Sequence, residues 1–382
     1  MKYSSRIVSV LAITFFALSS LTAQTVETLI AGQSTFDDGL AIDKDGNIYA
    51  SRYFGTTVTK ITLNGSTSIF ASGFTNPNGL TFDDDGNLYV PSAKGNKIEK
   101  VAPDGTKSSF VASIANPTGL LFDPDGNLLI AQYEENTISV RDPNGEVSIF
   151  LSGNGLNGPV GLDMDEDGNL YIGNFNDGKI FKRTPAGVIT TIGDLPGWLG
   201  FLTYSNGFVY ATAFQSNRIY RLKTDGTETL AYAGTGAAGT LDGDISEARF
   251  NQPNGIVASA TGDTLFISDH IPRSLRMIVG VNGVSTHNED TEELPDGYSL
   301  LQNYPNPFNP TTSINFSIPV AEQVALDVFD LNGKKVMELT DRFYSEGTHT
   351  ISFDAGGLSS GIYIYKLTAG DFSQSMRMSL IK

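Results

Sequence analysis

The stretch GLTFDDDGNLYVPSAKGNKIEKVAPDGTKSSF, residues 79–110, decides the fold, because it encodes four short strands separated by turns. Two apolar runs flank the turn sequence DDDGN at 83–87, and strand-like patterns return at 97–101 and 107–111. The turns leave too few residues for a helix between the strands. The segment therefore predicts a small four-stranded antiparallel sheet.

The same pattern recurs along the chain with a period of roughly 40 residues. Four units carry an Asp-Gly-Asn turn, and two later units have drifted from it. A sheet of four strands cannot bury both faces alone, so units of this length are expected to pack side by side as the blades of a β-propeller. The opening glycines of the six units are Gly39, Gly79, Gly119, Gly161, Gly200 and Gly255.

The sixth unit shows only three strands, and the missing strand is found at the other end of the chain. The apolar segment 26–31 precedes the first unit, and Ile30 lies nine residues before Gly39, as Phe70 does before Gly79. This spacing predicts that the N-terminal segment forms the outermost strand of the sixth blade. Such pairing would close the ring and remove an exposed sheet edge.

Residues 1–23 have the pattern of a secretory signal peptide, with a basic start, an apolar run and small residues before Gln24. No membrane span is expected once this segment is removed. The chain contains no cysteine, which excludes disulfides and thiolate metal sites. The formal net charge is −17, so we expect no binding to nucleic acid.

Four segments resemble NHL-type repeats: GLAIDKDGNIYAS (39–51), NGLTFDDDGNLYV (78–90), TGLLFDPDGNLLIA (118–131) and AGTGAAGTLDGDISEARFNQPNGI (233–256). The wider relatives that they resemble are the gluconolactonase and senescence-marker-protein propellers. The resemblance spans about residues 24–280 and implies an all-β fold with a six-bladed β-propeller. It leaves the activity open, because propellers serve many functions.

A polar, acidic linker is expected at 281–297, followed by a second domain at 298–382. Strand patterns at 324–329 and 335–339 flank Asn332-Gly333, which predicts a hairpin within a small C-terminal β-sandwich. The segments YPNPFNPTTSINFSIP, GLSSGIYIYKL and MRMSLIK resemble the C-terminal sorting domain of type IX secretion cargo. This resemblance implies that residues 298–382 engage the type IX secretion machinery and that the protein is secreted or displayed on the outer cell surface.

A candidate metal site follows from the residues that precede the opening glycines, which should ring the mouth of the central channel. Asp38, Asn78 and Asn254 belong to blades 1, 2 and 6, which become neighbours when the ring closes. Three oxygen donors could therefore converge on a divalent cation such as calcium. In lactonase-like relatives, acidic and Asn ligands include residues at such positions, so the resemblance implies the same site.

Candidate catalytic residues are few. His270 is the one histidine inside the predicted propeller, and with Asp269 it follows the second strand of the sixth blade. Either residue could act as a general base, but the sequence favours His270 as a plain polar loop residue because no second titratable partner is identifiable. Further residues expected to line the same pocket are Glu134, Asn174 and Asn176 in equivalent loops, with Tyr53 and Trp198 as ring-stacking side chains.

Two classes of function compete for this propeller. The first is a binding or scaffold module that presents its channel face to a glycan, peptide, protein or small molecule. The second is a divalent-metal-dependent lactonase or esterase that resembles the gluconolactonase family. The opening positions supply a single carboxylate, Asp38, which favours the binding module and leaves the enzyme as the alternative.

Overall fold

A computed structural model describes residues 24–32, 35–281, 298–300, 303, 306, 308–330, 334–370 and 372–381. The chain divides into two compact units, Met1–Ser285 and Thr286–Lys382. The predicted signal peptide and almost all of the predicted linker lie outside the described residues. Among the described residues, no helix is long and apolar enough to cross a membrane.

The first unit is a six-bladed β-propeller, as the repeats predict. Strand β1 (Thr25–Ile30) precedes the first blade, and each of the first five blades is an antiparallel four-stranded sheet whose strands follow one another along the chain. Blade 1 contains β2 (Leu40–Ile42), β3 (Ile48–Ser51), β4 (Thr57–Ile61) and β5 (Thr67–Ser72), and blade 2 contains β6 (Thr81–Phe82), β7 (Leu88–Ser92), β8 (Lys97–Val101) and β9 (Lys107–Val111). Blade 3 contains β10 (Pro117–Phe122), β11 (Leu128–Gln132), β12 (Thr137–Arg141) and β13 (Val147–Ser152), and blade 4 contains β14 (Pro159–Met164), β15 (Leu170–Asn174), β16 (Lys179–Arg183) and β17 (Ile189–Asp194). Blade 5 contains β18 (Leu199–Ser205), β19 (Phe208–Ala213), β20 (Arg218–Lys223) and β21 (Thr229–Ala233). A 3₁₀ turn, Ala93–Gly95, follows β7.

The Asp-rich turns between first and second strands owe their form to the first aspartate of each turn. In blade 2, Asp83 Oδ1 accepts hydrogen bonds from the Asn87 backbone N–H at 2.8 Å and the Asn87 side-chain amide at 3.0 Å. The Tyr89 hydroxyl donates to Asp83 Oδ2 at 2.9 Å. Because Asp side chains bond nearby backbone in this way, the repeated carboxylate stabilises the hairpin of its own blade.

The ring closes through the N-terminal strand, as predicted. Strand β22 (Gly243–Asp244) lies in the insertion before blade 6, which itself contains β23 (Pro253–Ala258), β24 (Thr264–Asp269) and β25 (Ser274–Val279). β1 pairs antiparallel with β25, from Thr25 opposite Val279 to Ile30 opposite Leu275. The expectation that β1 is outermost is wrong, because β22 pairs with its outer edge and makes a fifth strand.

The opening glycines are required by close contact between neighbouring blades around the channel. A Cβ atom at Gly119 would lie 1.8 Å from the carbonyl oxygen of Val160 in the next blade. At Gly255 it would lie 2.3 Å from the carbonyl oxygen of Asp38, across the seam of the ring. Real Cβ atoms do not approach oxygen so closely, so the repeat keeps glycine wherever first strands meet.

The hydrophobic core lies between blades. In one such layer, Tyr49 and Val58 of blade 1 pack with Leu88 and Val90 of blade 2, and all four side chains are buried. Each blade thus covers the apolar face of its neighbour, which is why the isolated repeat cannot be stable and the ring must be complete.

The second unit is a β-sandwich with its own core, which includes Phe316, Val324, Leu326, Tyr365 and Leu367. Its strands are β26 (Ser299–Leu300), β27 (Thr311–Ile318), β28 (Glu322–Phe329), β29 (Lys335–Tyr344), β30 (Gly347–Asp354), β31 (Gly361–Ala369) and β32 (Phe372–Leu380). One sheet has the order β26-β27-β30 and the other has the order β29-β28-β31-β32. The strands predicted at 324–329 and 335–339 lie within β28 and β29, which pair antiparallel.

Candidate functional site

A cavity of about 320 Å³ lies at one end of the central channel. At this end, which we call the channel face, the first strand of each blade begins and the second strand ends. The wall of the cavity is largely aromatic and its floor carries a few polar side chains. Small-molecule sites in proteins have this size and composition. The lining residues are Asp38, Tyr53, Phe54, Asn78, Asn116, Thr118, Tyr133, Val160, Phe175, Trp198, Phe201, Phe214, Asn254 and His270.

Most of the aromatic wall comes from one position of the repeat, the residue 14 positions after the opening glycine, or 15 in blade 6. Five of the six blades carry a ring there, and all five rings line the cavity. Tyr53 and His270 were predicted from the sequence, whereas Tyr133 and Phe175 were missed because the adjacent positions Glu134, Asn174 and Asn176 were chosen in those loops, and Phe214 was missed as well. Counting from each opening glycine identifies this position in all six blades. From blade 1 to blade 6 its residues are Tyr53, Ala93, Tyr133, Phe175, Phe214 and His270.

A recurring backbone hydrogen bond holds these residues beside the first strands. The Tyr133 N–H donates to the Asn116 carbonyl at 3.2 Å, and the Phe175 N–H donates to the Gly158 carbonyl at 2.8 Å. In blade 6, the His270 N–H donates to Gln252 O at 3.0 Å. The rings are thus fixed by the propeller framework, so the wall is largely preformed.

The rings contact one another in a continuous arc from blade 3 to blade 6. Tyr133 and Phe175 meet edge to face with centroids 5.9 Å apart, and Phe175 stacks on Trp198 at 5.4 Å. Phe214 then lies 6.5 Å from Trp198 and 5.7 Å from His270. The Trp198 side chain is half-buried, with an exposed fraction of 44%. A flat ligand entering the cavity would meet exposed ring faces.

The floor brings together two of the predicted oxygen donors across the ring seam. The Asn254 side-chain amide donates to Asp38 Oδ1 at 2.8 Å. Asn78 Oδ1 accepts the Gly79 N–H at 2.9 Å. Asp38, Asn78 and Asn254 all line the same cavity, as their register predicts.

Asp38 has an unusual electrostatic environment. Its side chain is only 3% exposed, and burial raises its pKa well above the usual value, with a further rise from the adjacent Asp37 carboxylate. The hydrogen bonds from Asn254 and Gly39 lower the pKa by less. Asp37 is itself paired with Arg273, whose Nε lies 3.1 Å from Asp37 Oδ2. Among the described residues, no cationic side chain forms a salt bridge with Asp38.

Asp269, the predicted second carboxylate, does not line the cavity. Arg276 Nη1 lies 3.1 Å from Asp269 Oδ2, and both side chains are fully buried within blade 6. The Asn251 N–H donates to the other carboxylate oxygen at 3.1 Å. The carboxylate therefore points toward Arg276 while its neighbour His270 faces the cavity.

The other predicted lining residues are engaged elsewhere. Glu134 forms an ion pair with Lys94 at 2.6 Å, and Asn174 donates to Gly155 O and to Asp177. None of the three predicted loop residues lines the cavity. Asn176 still supports the wall, since the Tyr133 hydroxyl donates to its side-chain oxygen at 2.7 Å.

The floor is an incomplete set of ligands for a calcium ion. Calcium takes about six to eight oxygen ligands, usually with several carboxylates. Here one carboxylate and three amide side chains line the cavity, and the carboxylate already accepts an amide N–H. No group of three or more His, Cys, Asp or Glu side chains able to hold a metal occurs among the described residues. The residues present therefore do not fit a resident calcium ion.

Two family models match the chain. One, described as the virginiamycin B lyase family, matches residues 19–228. The other, described as a secretion system C-terminal sorting domain, matches residues 302–382. The second match shows that the protein carries a type IX export signal and is destined for the cell surface or the extracellular space. No curated protein sequence matches the chain.

Solved structures confirm the propeller fold. A gluconolactonase from Xanthomonas campestris matches with 17% identity and a TM-score of 0.55, covering 70% of this chain and 93% of its own. An auxiliary nutrient binding protein from Bacteroides thetaiotaomicron matches with 15% identity and a TM-score of 0.59, covering 67% and 76%. A virginiamycin B lyase from Staphylococcus aureus matches with 16% identity and a TM-score of 0.51, covering 67% and 98%. At these identities the likeness shows the fold alone.

Proposed function

Because the chain belongs to the virginiamycin B lyase family through its propeller, we propose that it is an exported protein that binds a small molecule in its channel-face cavity. The sorting domain delivers the propeller to the outside of the cell. The propeller then acts there as a binding module, and the ligand stacks against the aromatic wall.

The aromatic wall is the observation that carries this proposal. Tyr133, Phe175 and Phe214 occupy one repeat position in successive blades, and the rings of Phe175 and Phe214 contact Trp198 around a preformed opening. Exposed aromatic rings are costly to keep in water, and a purely structural ring would be expected to pack inside a blade. A cavity of about 320 Å³ suits a small molecule better than a folded protein surface.

The test is a ligand screen by thermal shift and calorimetry on the purified chain, using sugars, aromatic metabolites and small amines. We expect at least one ligand to bind the wild type and to lose affinity by about tenfold or more in Trp198→Leu, since a stacked ring contributes roughly 1–3 kcal/mol. Phe343→Ala is the matched control, because Phe343 is an exposed ring in the second unit. Equal loss in both variants, or no ligand for either, would refute the proposal.

A second candidate is a lactone or ester hydrolase, which the convergence of Asp38, Asn78, Asn254 and His270 on one cavity favours. His270 would take a proton from water beside the bound substrate. Asp269, held against Arg276, would act only by positioning the loop that carries His270. A divalent cation would need further ligands from water or substrate, since the cavity lining supplies a single carboxylate.

Metal dependence distinguishes the two candidates. Calcium-dependent thermal shift of the wild type is compared with that of the Asp38→Ala/Asn254→Ala double variant, alongside a screen for ring opening of lactones and esters. When the free calcium concentration is 100 times the Kd of a single site, binding stabilises the folded state by about 2.7 kcal/mol, which is readily measured. A shift that the variant loses, together with turnover, favours the enzyme. Absence of both leaves the binding module.

A further inference from the structure

The buried carboxylate at the floor of the cavity lacks a cationic partner within the described part of the chain. Asp38 accepts hydrogen bonds from the Asn254 amide and the Gly39 N–H, which are both neutral donors. Arg273 is paired with the adjacent Asp37, and Lys94, which acts on the cavity residue Tyr53, is paired with Glu134. A buried carboxyl without a cationic partner favours its protonated form, and a cation bound beside Asp38 would stabilise the ionised form and complete a buried ion pair.

The wall above Asp38 is suited to a cation of a particular kind. Tyr53, Tyr133, Phe175, Trp198 and Phe214 surround the opening, and the negative faces of such rings attract an ammonium group. No Lys or Arg of the described residues lines the cavity, so no permanent positive charge in this lining would repel an ammonium group. The chain's formal net charge of −17 would also favour the approach of cations.

A metal ion is less well matched to this combination than an organic cation. Metal ions such as calcium gain little from aromatic walls and require oxygen ligands that the floor does not provide. An ammonium group on an apolar body uses both features, because its N–H groups can donate to the carboxylate while its carbon atoms contact the rings.

We propose that the channel-face cavity selects an organic ammonium ion, with the charged nitrogen against Asp38 and the apolar body within the aromatic wall. This inference rests on the proposed binding function and adds the charge of the ligand to it. The cavity should therefore discriminate against a neutral molecule of the same shape and more strongly against an anion.

The test compares three probes of nearly equal shape on the purified chain by calorimetry: 2-phenylethylammonium, 2-phenylethanol and phenylacetate. We expect the ammonium probe to bind at least about tenfold more tightly than the alcohol and phenylacetate to bind most weakly of the three. Asp38→Asn keeps the size of the side chain and removes its charge. This substitution should lower the affinity for the ammonium probe about 30-fold or more, because it removes one partner of a buried charge pair. The affinity for the alcohol should change by less than about twofold.

Trp198→Leu distinguishes the contribution of the aromatic wall from that of Asp38. It should lower the affinities for the ammonium and alcohol probes by the same factor. Its partial exposure lets the fold tolerate the change, and unchanged thermal unfolding of both variants confirms that the cavity is intact.

Each outcome has a definite meaning. Equal binding of the ammonium and alcohol probes, unaffected by Asp38→Asn, would overturn the charge inference and leave the binding function standing. Calcium that competes with the ammonium probe through Asp38 would overturn it in favour of a metal site. No binding of the ammonium probe at millimolar concentration would overturn it too. Failure of the broader ligand screen would remove the proposed function itself.

Discussion

Replacement of Arg276 by Met tests the seam of the ring, where the N-terminal and C-terminal ends of the propeller meet. The Arg276 side chain is fully buried, and its guanidinium donates to Asp269 at 3.1 Å and to Asp242 at 2.7 Å. It also donates to the carbonyls of Leu241 and Arg249 at 3.0 and 2.9 Å. One side chain thus links β24, β25 and the insertion that pairs with β1.

The expected loss in the free energy of unfolding follows from the burial of Asp269, which forms an ion pair with Arg276. Met keeps the volume and apolar contacts but leaves the fully buried Asp269 without a counter-charge, and breaking a buried pair in this way costs about 3–5 kcal/mol. The bond to Asp242 adds little, because that carboxylate is half exposed and regains water. For a domain of this size the melting temperature should fall by roughly 6–20 °C.

The single tryptophan makes the measurement specific to the propeller, because Trp198 lies in the first unit and the second unit has none. Unfolding followed by its emission is compared with that of Arg183→Met, a partly buried arginine in blade 4 that stacks on Phe150. Adding Asp269→Asn to the seam variant should recover part of the loss, since the uncompensated charge is then gone. Equal stability of Arg276→Met and Arg183→Met would refute the reasoning.

Three further predictions concern closure, blade contact and pH. Deleting residues 25–30 should expose the edge of β25 and cause association, seen as larger species by light scattering; a monomer of unchanged stability would contradict this. Gly119→Ala should cost about 1–3 kcal/mol or more in urea unfolding, because its Cβ would meet Val160 O, whereas Gly357→Ala has open space and should be nearly neutral. Burial raises the pKa of Asp163 to about 6, so its folded form keeps a proton that the unfolded chain releases near pH 4. The stability of the wild type relative to Asp163→Asn should therefore fall by up to about 3 kcal/mol as pH rises from 4 to 7, and a pH-independent difference would exclude the assignment.

The sequence predicted the architecture well because the propeller is a repeat whose period is carried by turn chemistry. Each Asp-Gly-Asn turn fixes a hairpin through local hydrogen bonds, as Asp83 does with Asn87, so strand positions could be counted directly. The closure by β1 was also predictable from the same spacing. The outer strand β22 was not, because its two residues pair through backbone groups and leave no hydrophobic pattern.

The candidate site was predicted only in part. Register placed Asp38, Asn78 and Asn254 at one mouth, since position along a strand fixes depth in the channel. The direction in which a side chain points does not follow from this register. Asp269 points toward Arg276, 7 residues further along the chain, because the two buried side chains form an ion pair. The aromatic wall was available from the repeat, but only when positions after the second strands were compared.

Trp198 emission during a ligand titration tests the central claim most directly, because the chain's only tryptophan lies in the wall of the proposed site. With a ligand whose binding is established by calorimetry, the claim predicts a saturable change in emission with the same Kd, together with protection from a soluble quencher. A calorimetric Kd with unchanged emission and unchanged quenching would mean that the ligand binds elsewhere, and the channel-face cavity would not be the functional site.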